Sequence, residues 1–111
     1  LVCLAVLASG GCANDPAPNA QMLLTEQAVA QAAAVGADNQ LAVMNQAQDK
    51  LLLAQKNMRE EDYKRARILA EQAELDARLA EAKVLVAKSD AQLVELRAKI
   101  VRLRQQLGAT Q

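Results

Sequence analysis

At 111 residues the chain is about one domain's worth of sequence, with 52% apolar residues, 23% charged and a formal net charge of zero. Tyr63 is its single aromatic residue and there is no histidine, which excludes an aromatic-rich core and removes the usual general base and commonest metal ligand. A neutral chain with one stacking ring is also a poor nucleic-acid binder.

The first segment is an apolar run, Leu1-Val2-Cys3-Leu4-Ala5-Val6-Leu7-Ala8, closed by the small residues Ser9-Gly10-Gly11 before Cys12. It is far short of the roughly 20 residues a helix needs to span a bilayer. Residues 1–11 therefore read as a signal peptide whose beginning precedes Leu1. Ala8-Ser9-Gly10-Gly11-Cys12 resembles the lipobox of bacterial lipoproteins, although Ser9 replaces the usual leucine. That resemblance implies a diacylglyceryl thioether on Cys12, cleavage just before it and acylation of the new N-terminus, palmitate included; plain cleavage and secretion is the alternative. Cys3 lies in the segment expected to be removed, so Cys12 is left for lipid. Residues 12–19 form the lipidated cysteine and a tether, because Pro16 and Pro18 block regular structure. In enterobacterial lipoproteins an Asp directly after the cysteine retains the protein in the inner membrane. Ala13 stands there, and by that resemblance the expected location is the periplasmic face of the outer membrane.

From residue 20 to residue 107 strong helix formers dominate, and no proline follows Pro18. A first helix is predicted from Ala20 or Gln21 to Val35, with Asn19 as N-cap and Gly36 as a left-handed C-terminal residue. Asp38 or Asn39 can cap a second, whose apolar stripe is Leu41, Met44, Ala47, Leu51, Ala54 and Met58. Arg59-Glu60-Glu61-Asp62-Tyr63 interrupts that stripe. Its three acids suit the first turn of a new helix, and Tyr63 is expected to plug the turn.

From Ile68 a heptad seam runs through Gln72, Leu75, Leu79, Ala82, Val86, Ser89, Leu93, Leu96, Ile100, Leu103 and Leu107. A second row, Ala66, Ala70, Ala73, Ala77, Ala80, Val84, Ala87, Ala91, Val94, Ala98 and Val101, is expected beside it, giving the helix two neighbours. The fold class is all-α: a helical hairpin or three-helix bundle with a long C-terminal coiled-coil-like helix, ending in a disordered tail at 108–111. A helix from Glu61 to Leu107 is roughly 70 Å long against roughly 27 Å for the second helix, so its C-terminal part overhangs. Leu93, Leu96, Ile100, Leu103 and Leu107 form the expected interface there, with a second copy or a partner helix. A hairpin is favoured over one continuous rod of roughly 100 Å, because Asp62-Tyr63 breaks the stripe and the alanine row needs a neighbour.

Two family resemblances follow. Glu61-Asp62-Tyr63-x-x-Ala66-x-x-x-Ala70-x-x-Ala73 resembles the turn and second helix of a tetratricopeptide repeat, which has Gly where Glu61 stands; no second copy follows at the expected period. The wider order covers Cys12 to about Gln106: lipobox, Pro-rich tether, Gly36-Ala37, Leu51-x-x-Ala54, Asp62-Tyr63-x-x-Ala66, then Leu69-Ala70-Glu71-Gln72-Ala73-x-x-Asp76-Ala77. This is similar to small Gram-negative outer-membrane lipoproteins of domain-of-unknown-function family 4398. Some members of that family continue into a peptidoglycan-binding OmpA-like domain, which does not follow before Gln111. The resemblance implies a place in the envelope and no activity.

Chemistry is thin. Glu71, Glu74 and Glu81 with Arg78, Lys83 and Lys88 read as a solvated salt-bridged face, with Glu74–Arg78 and Glu95–Lys99 paired at i, i+4. Arg97, Lys99, Arg102 and Arg104 are the candidate basic contact, for peptidoglycan, lipopolysaccharide phosphate or an acidic partner; cations favoured by the helix C-terminus are the plainer explanation. No catalytic residue, cofactor or metal is expected. The expected function is a non-enzymatic, lipid-anchored periplasmic scaffold, spacer or adaptor. The alternatives are a helical chaperone or modulator of an envelope enzyme or secretion component, or a lipid-binding bundle.

Overall fold

The structure, a computed structural model, describes residues 15–38 and 41–109. Three helices follow in order, α1 (Asn19–Ala34), α2 (Ala42–Arg59) and α3 (Tyr63–Ala109). They run up, down and up: Met22 of α1 and Ala54 of α2 meet at Ala70, while Ala28, Ala32, Met44 and Ala47 meet at Ala77 and Ala80. α1 and α2 thus form a hairpin laid along the first half of α3.

The alanine row builds the core. Ala66, Ala70, Ala73, Ala77 and Ala80 are all 0% exposed, and both short helices sit on that one side of α3. A run of methyl groups lets helix axes approach to the near end of the usual range, about 8 Å, so backbone reaches backbone. The Thr25 hydroxyl exploits this: its Oγ1 lies 2.9 Å from the Gln21 carbonyl and 2.9 Å from the Ala70 carbonyl on α3. Thr25 is fully buried, and without those acceptors its hydroxyl would cost stability.

The seam lies elsewhere than expected. Residues two apart on a helix are separated by about 200°, so the Ile68 row lies across the helix from the Ala66 row, not beside it. Both neighbours take the alanine side, and the seam stays exposed even where the hairpin covers α3, Leu75 being 66% exposed.

Turn chemistry explains the hairpins. At the end of α1 the Gly36 N–H donates to Ala33 O at 3.0 Å and the Ala37 N–H to Ala32 O at 2.9 Å. This is a Schellman closure with Gly36 at φ 102° in the left-handed position, as its sequence position predicts. α2 ends the same way: the Glu61 N–H donates to Met58 O at 3.2 Å and the Asp62 N–H to Asn57 O at 3.0 Å. Here the left-handed residue is Glu61, at φ 60°, the place where the tetratricopeptide pattern has Gly. α2 and α3 are therefore a hairpin and not one rod.

Other expectations shift by a residue or more. Asn19 is the first residue of α1, not its cap; Pro18 precedes it with no side-chain cap. α2 starts at Ala42 behind Leu41, again with no side-chain cap, so Asp38 does not cap it and Asn39 lies outside the described residues. Of the three acids only Asp62 serves α3, its Oδ1 accepting from the Arg65 N–H at 3.2 Å; Glu60 and Glu61 sit in the turn. Tyr63 opens α3 and is half-buried. α3 continues through Gly108 to Ala109, because glycine weakens a helix without forbidding it.

Candidate interaction surface

α3 outruns its neighbours. The Lys88 ammonium donates to Val35 O at 2.6 Å, closing the C-terminal end of α1 against α3. Beyond it residues 89–109, roughly 30 Å of helix, are exposed on every side. Leu93 (48%), Leu96 (53%), Ile100 (47%) and Leu103 (57%) lie there, with Leu107 further along, as the sequence predicts. The exposed part of the seam does not begin there, though. Ile68, Leu75, Leu79 and Val86 continue it back along the outside of the bundle, which the sequence reading missed by placing the two rows side by side. Leu79, Ala82, Lys83, Val86, Ala87 and Asp90 line a shallow, mainly apolar groove midway along it.

The four cations of the basic contact are all exposed but do not form one patch. Arg97 and Arg104 are seven residues apart and share one flank of the seam. Lys99 is on the other flank, 2.7 Å from Glu95, with Arg102 next to it around the helix. The last turn of α3 holds no basic residue, so the helix dipole, which acts within that turn, does not account for them.

Of the remaining charged row, Glu71 and Lys83 are exposed, while Glu74, Arg78 and Glu81 are structural. Gln21 donates to Glu74 Oε2 at 2.7 Å and Gln31 to Glu81 Oε1 at 2.8 Å, pinning α1 to α3. Arg78 completes the first pin, 2.6 Å from Glu74 Oε1. The Gln21 hydrogen bond first, and Arg78 second, hold the Glu74 carboxyl below its ordinary pKa. On the other side Lys50 of α2 meets Asp76 at 2.6 Å, and Gln55 donates to Glu26 at 3.2 Å between α2 and α1. Glu74 and Glu81 are thus fixed between helices. Among the described residues no group of three or more His, Cys, Asp or Glu could hold a metal ion, and no helix is long and apolar enough to cross a membrane. Cys12 and the rest of the signal and lipobox segment lie outside the described residues.

A family model described as a domain of unknown function, DUF4398, matches residues 20–96. The chain belongs to the DUF4398 family. Its helical domain is similar to the crystal structure of a DUF4398 family protein from Pseudomonas aeruginosa, with 60% identity and a TM-score of 0.83. The alignment covers 86% of this chain and 100% of that one. No curated protein matches the chain. The match of residues 20–96 takes in the hairpin, the buried alanines of α3 and the first part of the overhang.

Proposed function

We propose that this DUF4398 chain is a non-enzymatic, lipid-anchored scaffold of the bacterial envelope that self-associates through the apolar seam of α3. The observation that carries this reading is the seam's position, exposed along the bundle and overhang alike and on the face away from the chain's own hairpin. Apolar surface arranged at coiled-coil spacing is an assembly surface. Glu74 and Glu81, two of the three carboxylates on the charged face, support a structural role, because they are committed to interhelix pins. The lipobox-like Ala8-Ser9-Gly10-Gly11-Cys12 supports the anchor, and Ala13 supports the outer membrane. Under this reading the tether enters at the α1 N-terminus, level with Ala70, so the overhang points away from the anchored end.

The test is the molar mass of residues Ala13–Gln111, measured by light scattering over a concentration series, together with palmitate labelling of cells making the full chain. A concentration-dependent dimer or higher oligomer, and a label lost in Cys12→Ser, is the expected result. A monomer at high concentration refutes self-assembly and turns attention to a helical partner in the periplasm. A label that survives Cys12→Ser refutes the anchor.

A further inference from the structure

The charges and side-chain volumes along the seam specify how a second copy docks. We infer that two copies pair antiparallel along α3, over the whole of residues 68–107, in the register that sets Leu79 of one against Leu96 of the other. This rests on the self-association proposed above and adds its orientation and register.

Charge complementarity is the first argument. Flanking residues of a coiled coil set its orientation, because each meets a flanking residue of the partner. In a parallel, in-register pair, Glu71 faces the second copy's Asp76, Arg78 its Lys83, and Lys99 its Arg104. All three contacts are between like charges, and two-fold symmetry repeats each. In the antiparallel register, Asp76 faces the second copy's Arg97, and Lys83 its Asp90. The one like-charge contact there is Arg78 with Lys99. Pairing within each copy, Arg78 with Glu74 at 2.6 Å, Lys99 with Glu95 at 2.7 Å and Asp76 with Lys50 at 2.6 Å, weakens contacts in both arrangements alike. Sign therefore decides, with three like-charge contacts in the parallel pair against one in the antiparallel.

Volume points the same way. Ala82 and Ser89 are the small residues of the seam's middle. A parallel pair stacks each on its own copy and leaves gaps between layers of leucine. The antiparallel register sets Ala82 against Leu93 and Ser89 against Val86, large against small in each layer, as close packing requires. The overlap is about 60 Å long and covers the seam beside the hairpin as well as in the overhang. A membrane surface fits less well, because α3 carries apolar rows on opposite sides, whereas an interfacial helix keeps one side polar. The pairing puts the two tethers at opposite ends of the assembly. With both lipid anchors in one bilayer, the pair lies along the membrane and does not stand upright from it.

The experiment uses residues Ala13–Gln111, which lack both cysteines of the chain. Every described contact lies within this part, and the crystallised relative, whose full length matches 86% of the chain, indicates that it folds alone. Leu79→Cys and Leu96→Cys proteins, each confirmed helical by circular dichroism, are oxidised separately and as a mixture. The expected result is a disulfide-linked dimer in the mixture and none from either protein alone. A disulfide from Leu79→Cys alone shows parallel pairing and overturns the orientation while leaving self-association standing. A dimer by light scattering with no crosslink in any sample overturns the register, and a monomer overturns the underlying reading too. Arg97→Asp gives a second check. It sets like charges at Asp76 in the antiparallel register and should raise the dimer Kd about tenfold. An unchanged Kd overturns the register.

Discussion

Replacing Glu61 by glycine should stabilise the protein. Glu61 sits at φ 60°, the left-handed position of the Schellman closure that ends α2. A residue with a Cβ is strained there by about 1–2 kcal/mol. Glycine removes that strain and costs about 0.5–1 kcal/mol through its freer unfolded chain. The Glu61 side chain is exposed and the closure uses only its backbone, so no contact offsets the gain. The net expectation is about 0.5–1 kcal/mol, or a rise in Tm of about 3–6 °C for a domain of this size. Thermal melts of Glu61→Gly and Glu61→Ala, followed by circular dichroism, make the comparison. Alanine keeps the Cβ and should leave Tm within about 2 °C. A Tm that falls with glycine and holds with alanine would refute the reasoning. That pattern belongs to a residue inside a continuous helix, where glycine costs about 1 kcal/mol relative to alanine.

Three further outcomes are expected. Thr25→Val, which keeps the shape and removes the second hydrogen bond to the Ala70 carbonyl, should lose about 0.5–1.5 kcal/mol in urea titrations, and no loss would mean that bond contributes nothing net. Ala77→Leu forces a larger side chain between α3 and the hairpin at a fully buried position, and should cost about 2–3 kcal/mol or more in the same assay, while the exposed Leu93→Ala leaves the stability of the monomer nearly unchanged. Glu74 has a lowered pKa, so the folded state binds its proton less well than the unfolded state does. Its stabilisation is therefore complete above the ordinary value of 4.5 and is lost as pH falls through the lower folded value. Glu74→Gln should be less stable than the parent in urea at neutral pH, with the gap closing in acid; a constant gap would show that the pin does not act through ionisation.

Much of the fold was legible in the sequence because helix propensity and turn chemistry are local. The α2 stripe came out as read, with Met44, Ala47 and Ala54 buried and Leu41, Leu51 and Met58 packed against them. The Gly36 closure and the ion pairs Glu74–Arg78 and Glu95–Lys99 formed as their spacings predict. What escaped was the relation between the two rows of α3. Both are apolar, both repeat at helical spacing, and hydrophobicity favours the leucines for the core. The two-residue offset between them held the answer, since it places the rows across the helix from each other. Thr25 and Gln21 also escaped, because nothing local marks a hydroxyl whose acceptor is a carbonyl 45 residues away.

The sequence by itself determined that the domain is helical, that the first helix ends at Gly36, and which spacing could serve as an assembly surface; it favoured a break after the second helix over a continuous rod. These follow from backbone conformation and side-chain periodicity, which neighbours along the chain decide. Only the tertiary structure decided which apolar row becomes the core. Two helices that must both lie close to a third pack best on its smallest side chains, where methyl groups allow near approach and backbone carbonyls come within reach of a buried hydroxyl. The alanines were taken inward for that reason, and the leucines were left facing out.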